Sequence, residues 1–177
     1  MSNELRIAVS GKSGCGNTTV SRLLSQRLGI RLINYTFHDL AREKGLAFET
    51  LCVLAEKDPQ YDLLLDRKHV ELASEQSCVL GSRLAIWLLE KASLKVYLTA
   101  PALTRAERIA RREGIACKEA LSGMNRRDAR DRRRYIRLYS INIDRYEFAD
   151  LTVNTVLGDQ FYVVDQIMKA LRERSLA

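Results

Sequence analysis

A glycine-rich loop near the start of the chain has residues that could hold phosphate. It reads Gly11-Lys12-Ser13-Gly14-Cys15-Gly16-Asn17-Thr18-Thr19 and lies between a predicted strand, Leu5–Ser10, and a predicted helix, Thr18–Leu28. A Walker A loop, G-x-x-x-x-G-K-[ST], requires this strand–loop–helix context. Its backbone N–H groups and the positive end of the helix attract phosphate oxygens. We therefore expect all nine loop residues to bind a nucleotide phosphate chain, with the Thr18 hydroxyl as a Mg²⁺ ligand.

One residue of this loop departs from the motif. Asn17 stands where the motif has lysine, and an amide offers only a neutral donor where lysine would bring a full charge. Lys12, the second residue of the loop, resembles the signature lysine of some P-loop ATPases. Our hypothesis is that Lys12, or an arginine from elsewhere, supplies the missing charge. The alternative is a glycine-rich turn that binds nothing.

A second candidate element is the run NRRDARDRRRYIRLY, which begins at Asn125. Arg127, Asp131 and Arg134 recur at i, i+4 and i+7, so one helical face would present two guanidinium groups around a carboxylate. Phosphoryl transfer needs cations around the moving group, and the planar fork of arginine holds oxygens bidentately. These three residues are therefore catalytic candidates, together with Lys12. The alternative is a solvated basic helix.

The pattern of short apolar runs and amphipathic segments predicts the scaffold that positions these residues. Further strands are expected at Arg31–Asn34, Cys78–Gly81, Leu94–Thr99 and Asp150–Thr155. Helices are expected at 37–44, 48–56, 60–74, Arg83–Glu90, Asp159–Arg172 and in one long arginine-rich segment from Pro101. Strands that alternate with helices favour an α/β fold with a parallel sheet covered on both faces. With 177 residues and no repeat or linker, a single domain over 1–177 is expected.

Charge and composition narrow the function classes. The net charge of +7 is concentrated at 105–112 and 126–137, which indicates a local anion-facing element. The four cysteines are scattered without a C-x-x-C pair, as in a reducing compartment. No signal peptide and no apolar run near the ~20 residues of a membrane helix are found, so a cytoplasmic location is expected. A nucleic-acid partner is disfavoured because none of the recognised RNA-binding motifs appears. We expect a monomer.

Several segments together resemble the cytidylate kinase family, in its short archaeal-type branch. FHDLAREKGLAFETLCVLAEKDPQYDLLLDRKHVELA is similar to that branch's nucleoside-monophosphate-binding helices, and VLGSRLAIWLL to the strand and turn with the monophosphate-binding arginine. TAPALTRAERIARREG resembles the helix entering the lid, DLTVNT the strand before the adenine-side loop, and RDARDRRR the arginine/aspartate pattern of the lid. The resemblance implies a three-layer P-loop NTPase fold. It has a five-stranded parallel sheet, a monophosphate-binding flap around 36–76 and an arginine-rich lid around 113–134.

The same resemblance implies the reaction and the residues that serve it. The activity would be phosphorylation of CMP or dCMP by ATP with Mg²⁺. Arg83 would bind the acceptor phosphate, helped by His38, and Arg67 could reach the cytosine or that phosphate. Arg108 would meet the ATP phosphates or the adenine ring. In the lid, Arg127 and Arg134 would cap the transferring group, and Asp131 would hold these arginines in place or contact the cytidine.

Three departures from the family pattern leave other readings open. Besides Asn17, His38 stands where the family has an arginine, and Gly81-Ser82 replaces an acidic residue and a glycine at the end of the third strand. These losses indicate slower chemistry, another acceptor, or a nucleotide-binding protein without useful catalysis. An RNA-binding module that uses the arginine-rich helix is a third hypothesis.

Overall fold

The computed structural model describes residues 4–176, which form a parallel sheet with helices on both faces. The strands are β1 (Arg6–Gly11), β2 (Arg31–Ile33), β3 (Cys78–Gly81), β4 (Leu94–Thr99) and β5 (Leu151–Asn154). They lie in the order β2-β3-β1-β4-β5, and every neighbouring pair is parallel. The predicted five-stranded parallel α/β sheet is confirmed.

The helices lie within two residues of the predicted bounds, with one exception. They are α1 (Asn17–Leu28), α2 (Phe37–Glu43), α3 (Phe48–Lys57), α4 (Gln60–Glu75), α5 (Ala85–Leu88), α6 (Ala102–Glu113), α7 (Cys117–Tyr139) and α8 (Gln160–Glu173). The single long helix predicted from Pro101 is wrong, because Gly114 adopts φ 67° and ends α6. Glycine takes this left-handed conformation without a Cβ penalty, so the chain turns before α7 begins.

Two cores hold the sheet between its helices. Side chains alternate along a strand, so Ile7 and Val9 of β1 face one core, which includes residues of α1 and α8. Ala8 faces the other core, where Leu80 of β3 and Ile86 of α5 pack against it. Because β1 is central and buried on both faces, the loop after it lies at the middle of the carboxyl edge. The loops after β3, β4 and β5 reach the same edge, where ligands of open α/β sheets bind.

Two smaller units flank this edge, and each has a small core of its own. The α2–α4 segment has its own small core around Leu40 and Leu51. Helix α2 begins with a capping box in which Thr36 and Asp39 satisfy each other's backbone N–H groups. Helices α6 and α7 pack together through a separate cluster that includes Met124. Within residues 4–176, no helix is long and apolar enough to span a membrane.

Candidate active site

The loop after β1 has a conformation that only glycine accommodates at its sharpest points. Gly14 has φ 82° and Gly16 has φ 98°, both in the left-handed region. A Cβ on Gly14 would lie 2.8 Å from the carbonyl oxygen of Arg105, so α6 packs directly on the loop. Helix α1 begins at the next residue, Asn17, and its N-terminal N–H groups face the loop. The loop is therefore built as an anion-binding concavity.

A cavity of about 490 Å³, here called the loop cavity, opens over this turn. It is lined by Gly11, Lys12, Ser13, Gly14, Gly16, Asn17, Thr18, Thr19, Gly81, Ser82, Arg83, Arg108, Ile109, Arg112 and Arg127. The structure thus brings most of the predicted loop residues together with three of the predicted arginines. None of the described residues that line this cavity is acidic. An excess of guanidinium groups around a glycine loop suits a polyphosphate.

Asn17 occupies the lysine position of the motif, but its side chain stabilises the loop itself. Its Nδ2 donates a hydrogen bond to the carbonyl oxygen of Gly11 at 2.8 Å. Its Oδ1 is buried, and a Cβ on Gly11 would lie 2.7 Å from that atom. The Asn17 amide therefore binds the backbone of the loop. Other residues must supply the positive charge at the phosphates.

Lys12 reaches the rim of the loop cavity and is already paired. Its Nζ lies 2.5 Å from Oδ1 of Asp144, which follows α7 in the chain, and Nε of Arg132 lies 3.3 Å from the other oxygen of that carboxylate. The hydrogen bond from Lys12 holds the pKa of Asp144 below its ordinary value. Lys12 is therefore positioned beside the loop and held by a carboxylate.

Asp131 joins the lid helix α7 to Arg83, which lies in the turn after β3. Its carboxylate is 1% exposed and forms an ion pair with Arg83. Nη2 of Arg134 lies 3.6 Å from its other oxygen. Arg83 in turn donates to the hydroxyl of Ser13 in the loop. The predicted trio of two arginines and a carboxylate thus lies across the site, although it is Arg83 rather than Arg127 that forms the ion pair with Asp131.

A second cavity of about 700 Å³, here called the flap cavity, lies between the α2–α4 segment and α7. Its lining residues are Phe37, Cys52, Ala55, Pro59, Asp62, Arg130, Arg133, Arg134 and Arg137. Nη1 of Arg134 lies 3.2 Å from Oδ1 of Asp62. Burial raises the pKa of Asp62, and Arg134 opposes that rise. Arg134 therefore lies between the two cavities, because it contacts Asp62 on one side and Asp131 on the other.

A third, smaller cavity of about 210 Å³ lies between α1 and the loop after β5. Arg108 extends along its wall, where Nη1 donates to the carbonyl oxygen of Gly14 at 3.2 Å and to Oγ1 of Thr155 at 2.8 Å. Cys15 is buried at the base of this cavity. Arg108 thus touches both the glycine loop and the loop after β5, and its contact with the ATP phosphates or the adenine ring stays a prediction.

Two predicted substrate residues lie away from these cavities. His38 is exposed and stacks on Phe48, with 3.7 Å between ring centroids. Arg67 is exposed on α4. Neither residue lines any of the three cavities in the part of the chain that the structure describes. Their assignment as acceptor contacts has no support from this arrangement.

The missing carboxylate at the end of β3 has a steric explanation. A Cβ on Gly81 would lie 2.8 Å from Cβ of Ser21, because α1 packs closely against the strand. The next residue, Ser82, has a buried hydroxyl without a partner among residues 4–176, and it lines the loop cavity. The hydroxyl residues that line the cavity are Ser13, Thr18, Thr19 and Ser82. The described residues contain no cluster of three acidic, histidine or cysteine side chains suited to a metal. Such a lining would suit Mg²⁺ as an ion held mainly by nucleotide phosphates and water, and Thr18 as its protein ligand stays a prediction.

Sequence reasoning missed three residues of the site. Asp62 is in the first turn of α4, where a carboxylate usually serves the helix dipole in solvent. Asp144 is in an irregular segment with no periodicity to indicate its direction. Arg105 is 7% exposed and donates to the carbonyl oxygen of Ser13 at 3.1 Å and to Asp128 at 2.8 Å. Its i, i+3 spacing from Arg108 was visible, but the packing of α6 onto the loop was not.

A glycine loop after the central strand of a parallel sheet, opposed by an arginine-bearing helix, defines a P-loop kinase. The shikimate kinase of Bacteroides thetaiotaomicron has the same fold, with a TM-score of 0.65 at 16% identity over 96% of this chain and 98% of that one. The model of the cytidylate kinase-like family matches residues 6–156, and the chain belongs to that family.

Two curated relatives support this membership. The chain is 40% identical to "Cytidylate kinase 2" of Borrelia garinii subsp. bavariensis over 97% of this chain and 99% of the relative. It is 39% identical to the cytidylate kinase of Pyrococcus horikoshii over 86% of this chain and 81% of the relative. The predicted resemblance to the cytidylate kinases, archaeal ones included, is confirmed.

Proposed function

We propose that the protein transfers the γ-phosphoryl group of ATP to CMP or dCMP, forming ADP and the corresponding diphosphate. The observation that carries the proposal is the pair of cavities that meet at Asp131, Arg83 and Arg134. One cavity suits a triphosphate and the other a monophosphate with its base. The relatives named cytidylate kinase support cytosine as the acceptor base.

On the donor side, the loop and its arginines hold the phosphate chain. Backbone N–H groups from Gly14 to Thr18 face the β- and γ-phosphates, and Arg108 places the adenine end between the loop and Thr155. Arg127 lines the same cavity from α7 and neutralises charge on the transferring group. Lys12 supplies the full charge that Asn17 lacks.

On the acceptor side, Arg83 and Arg134 orient the monophosphate. One of its oxygens attacks the γ-phosphorus in line, and the bond from that phosphorus to the β–γ bridging oxygen breaks, which releases ADP. No general base is needed because an ionised phosphate is already a nucleophile, so positioning and charge neutralisation supply the rate enhancement. Mg²⁺ would supply further charge neutralisation on the nucleotide phosphates, and Thr18 would be the residue of the protein that holds it.

Because Arg83 and Arg134 both contact Asp131, we infer that substrate phosphates bind by sharing or replacing this carboxylate as their partner. A buried carboxylate holds Arg83 and Arg134 in place before substrate arrives, and phosphate oxygens then share or replace it as partner. This arrangement avoids like-charge repulsion between the arginines in the free protein. It also keeps the acceptor contacts preformed, which reduces the entropy lost on binding.

A panel assay tests the proposal. ADP release would be measured with CMP, dCMP, UMP and AMP as acceptors, with ATP and Mg²⁺ present and again after chelation, and the nucleoside diphosphate would be identified by chromatography. We expect turnover with CMP and dCMP that requires Mg²⁺. Release of ADP without a matching diphosphate would contradict transfer to a monophosphate.

A nucleotide-binding protein without useful catalysis is the second candidate. The bond of Asn17 to Gly11 and the pairing of Lys12 with Asp144 favour it, because both withhold charge from the phosphates. Calorimetric titration of CMP, UMP and AMP, with and without an ATP analogue, separates the candidates. Tight CMP binding with no turnover would support the second.

We also propose that the protein acts as a monomer in the cytoplasm. The four cysteines are free, as expected in a reducing compartment. Light scattering after gel filtration would test the oligomeric state.

A further inference from the structure

Asp62 is a buried carboxylate in the flap cavity that the proposed phosphate chemistry does not use. It lies in the first turn of α4 and is 6% exposed. Its contact is the guanidinium group of Arg134, whose Nη1 lies 3.2 Å from Oδ1. Burying a charged side chain is costly, so a carboxylate in a ligand cavity calls for a partner beyond this single ion pair.

The position of Asp62 is that of a base contact rather than a phosphate contact. Arg134 separates it from Asp131 and Arg83, which lie beside the loop cavity. A monophosphate that reached Arg83 would place its base beyond Arg134, in the flap cavity. Phosphate would be repelled by Asp62, whereas a base with a hydrogen-bond donor would satisfy it.

The hydrogen-bonding groups that line the flap cavity complement one edge of a nucleobase. Asp62 is an acceptor, Arg133 and Arg137 are donors, and Phe37 and Pro59 form an apolar wall. Cytosine presents an amino donor at N4, and a carboxylate accepts from that group, while its N3 and O2 accept from donors such as guanidinium. Uracil would turn its O4 acceptor toward Asp62, leaving two acceptors facing each other without a proton between them.

We propose that Asp62 accepts a hydrogen bond from the exocyclic amino group of the acceptor base and so selects cytosine over uracil. This inference rests on the proposed function, since it assumes that a pyrimidine monophosphate occupies the flap cavity. Burial raises the pKa of Asp62 above its ordinary value, and the guanidinium groups of Arg134, Arg130 and Arg137 oppose that rise. Asp62 is thus a specificity-determining residue, and Arg134 is both its charge partner and a phosphate contact.

The test compares the kcat/KM ratio of CMP to UMP in the wild type and in Asp62→Asn. The asparagine has the same shape and can turn its NH₂ toward O4 of uracil. We expect the CMP/UMP ratio to fall by a factor on the order of 10 to 100, the size of one hydrogen bond to a charged group. A ratio is independent of the folded fraction, so partial misfolding of the variant does not obscure the result.

Asp58→Asn is the matched control. Asp58 precedes the same helix and its Oδ1 accepts from the backbone N–H of Gln60 at 2.9 Å, a bond that asparagine can also accept. It is not among the residues that line the flap cavity. We expect this variant to keep the wild-type CMP/UMP ratio.

A CMP analogue without the 4-amino group completes a double-mutant cycle. The wild type should prefer CMP over this analogue by about the same factor, and Asp62→Asn should lose that preference. If Asp62→Asn lowers kcat/KM for CMP and UMP equally, Asp62 only supports Arg134 and the inference is overturned while the kinase proposal stands. If the wild type shows no turnover, the same ratios are measured as binding constants by calorimetry, and failure to bind any pyrimidine monophosphate overturns both proposals.

Discussion

The side-chain amide of Asn17 donates to the carbonyl oxygen of Gly11 at 2.8 Å, which ties the first helical residue of α1 to the end of β1. The usual lysine of this position would extend over the loop toward the phosphates. Here the side chain of Asn17 stabilises the loop instead, so different residues must bind the phosphates and neutralise their charge. The glycine loop performs the first, and residues at the rim of the loop cavity must perform the second.

Lys12→Ala should lower kcat for phosphoryl transfer by a factor on the order of 100, comparable to the loss of one preorganised charge donor at a transition state. Lys12→Arg should retain part of the activity because it keeps the charge. The measurement is ADP release at saturating ATP and CMP. Lys91→Ala, a change at an exposed lysine outside the site, is the control and should leave kcat unchanged. Wild-type turnover in Lys12→Ala would transfer this role to the arginines of α7.

Asp144→Asn should lower the KM for ATP by about two- to fivefold, because a partly exposed ion pair of this kind is worth only a few tenths of a kcal/mol to 1 kcal/mol. The change frees Lys12, whose Nζ lies 2.5 Å from the carboxylate, for the phosphates. Initial rates over a range of ATP concentrations at fixed CMP provide the measurement. An increased KM would show instead that Asp144 positions Lys12 for the phosphates rather than competing with them.

The same ion pair has a defined pH dependence. Lys12 holds the pKa of Asp144 below the ordinary 3.8, so the folded state favours the ionised carboxylate. The stabilisation is therefore fully present above the unfolded pKa and is lost as the pH falls through the lowered folded value. Carboxyl titration by NMR should show the Asp144 pKa rising toward 3.8 in Lys12→Ala. A pKa that stays low in this variant would assign the shift to Arg132.

The sequence was sufficient for elements whose pattern is local, but not for contacts between distant segments. The apolar run from Leu94 to Thr99 predicted β4 at its observed bounds, because a strand buried on both faces needs nothing else to be recognised. Asp62 was missed because its environment is created by α7, which lies more than fifty residues further along the chain. Likewise, His38 stacks against Phe48, a contact that family position alone does not specify.

Gly81→Ala should lower the free energy of unfolding by about 1–3 kcal/mol, because the new Cβ would lie 2.8 Å from Cβ of Ser21 and overpack the contact between β3 and α1. The loss should shrink when Ser21→Gly is introduced in the same chain, since the two changes share one contact. Urea unfolding of the four forms measures the coupling. Additive losses in the double variant would place the strain elsewhere. The same clash leaves no room for an acidic side chain at position 81.

Asp131→Ala should cost about 2 kcal/mol of unfolding free energy in the nucleotide-free protein. The carboxylate is 1% exposed and lies between Arg83 and Arg134, which would then face each other without compensation. Removing one partner of a fully buried ion pair costs about 3–5 kcal/mol, and the partial exposure of both arginines reduces this. Urea unfolding provides the measurement.

Asp165→Ala is the control for this change, because Asp165 pairs with Arg27 at 3.5 Å on the surface and its loss should cost less than about 1 kcal/mol. Adding CMP and a non-hydrolysable ATP analogue should stabilise Asp131→Ala more than the wild type, because phosphate oxygens restore the negative charge between the two arginines. This excess stabilisation separates a carboxylate that stands in for phosphate from one that only supports the fold. Equal stabilisation of both proteins by nucleotide would show that Arg83 and Arg134 do not exchange Asp131 for substrate.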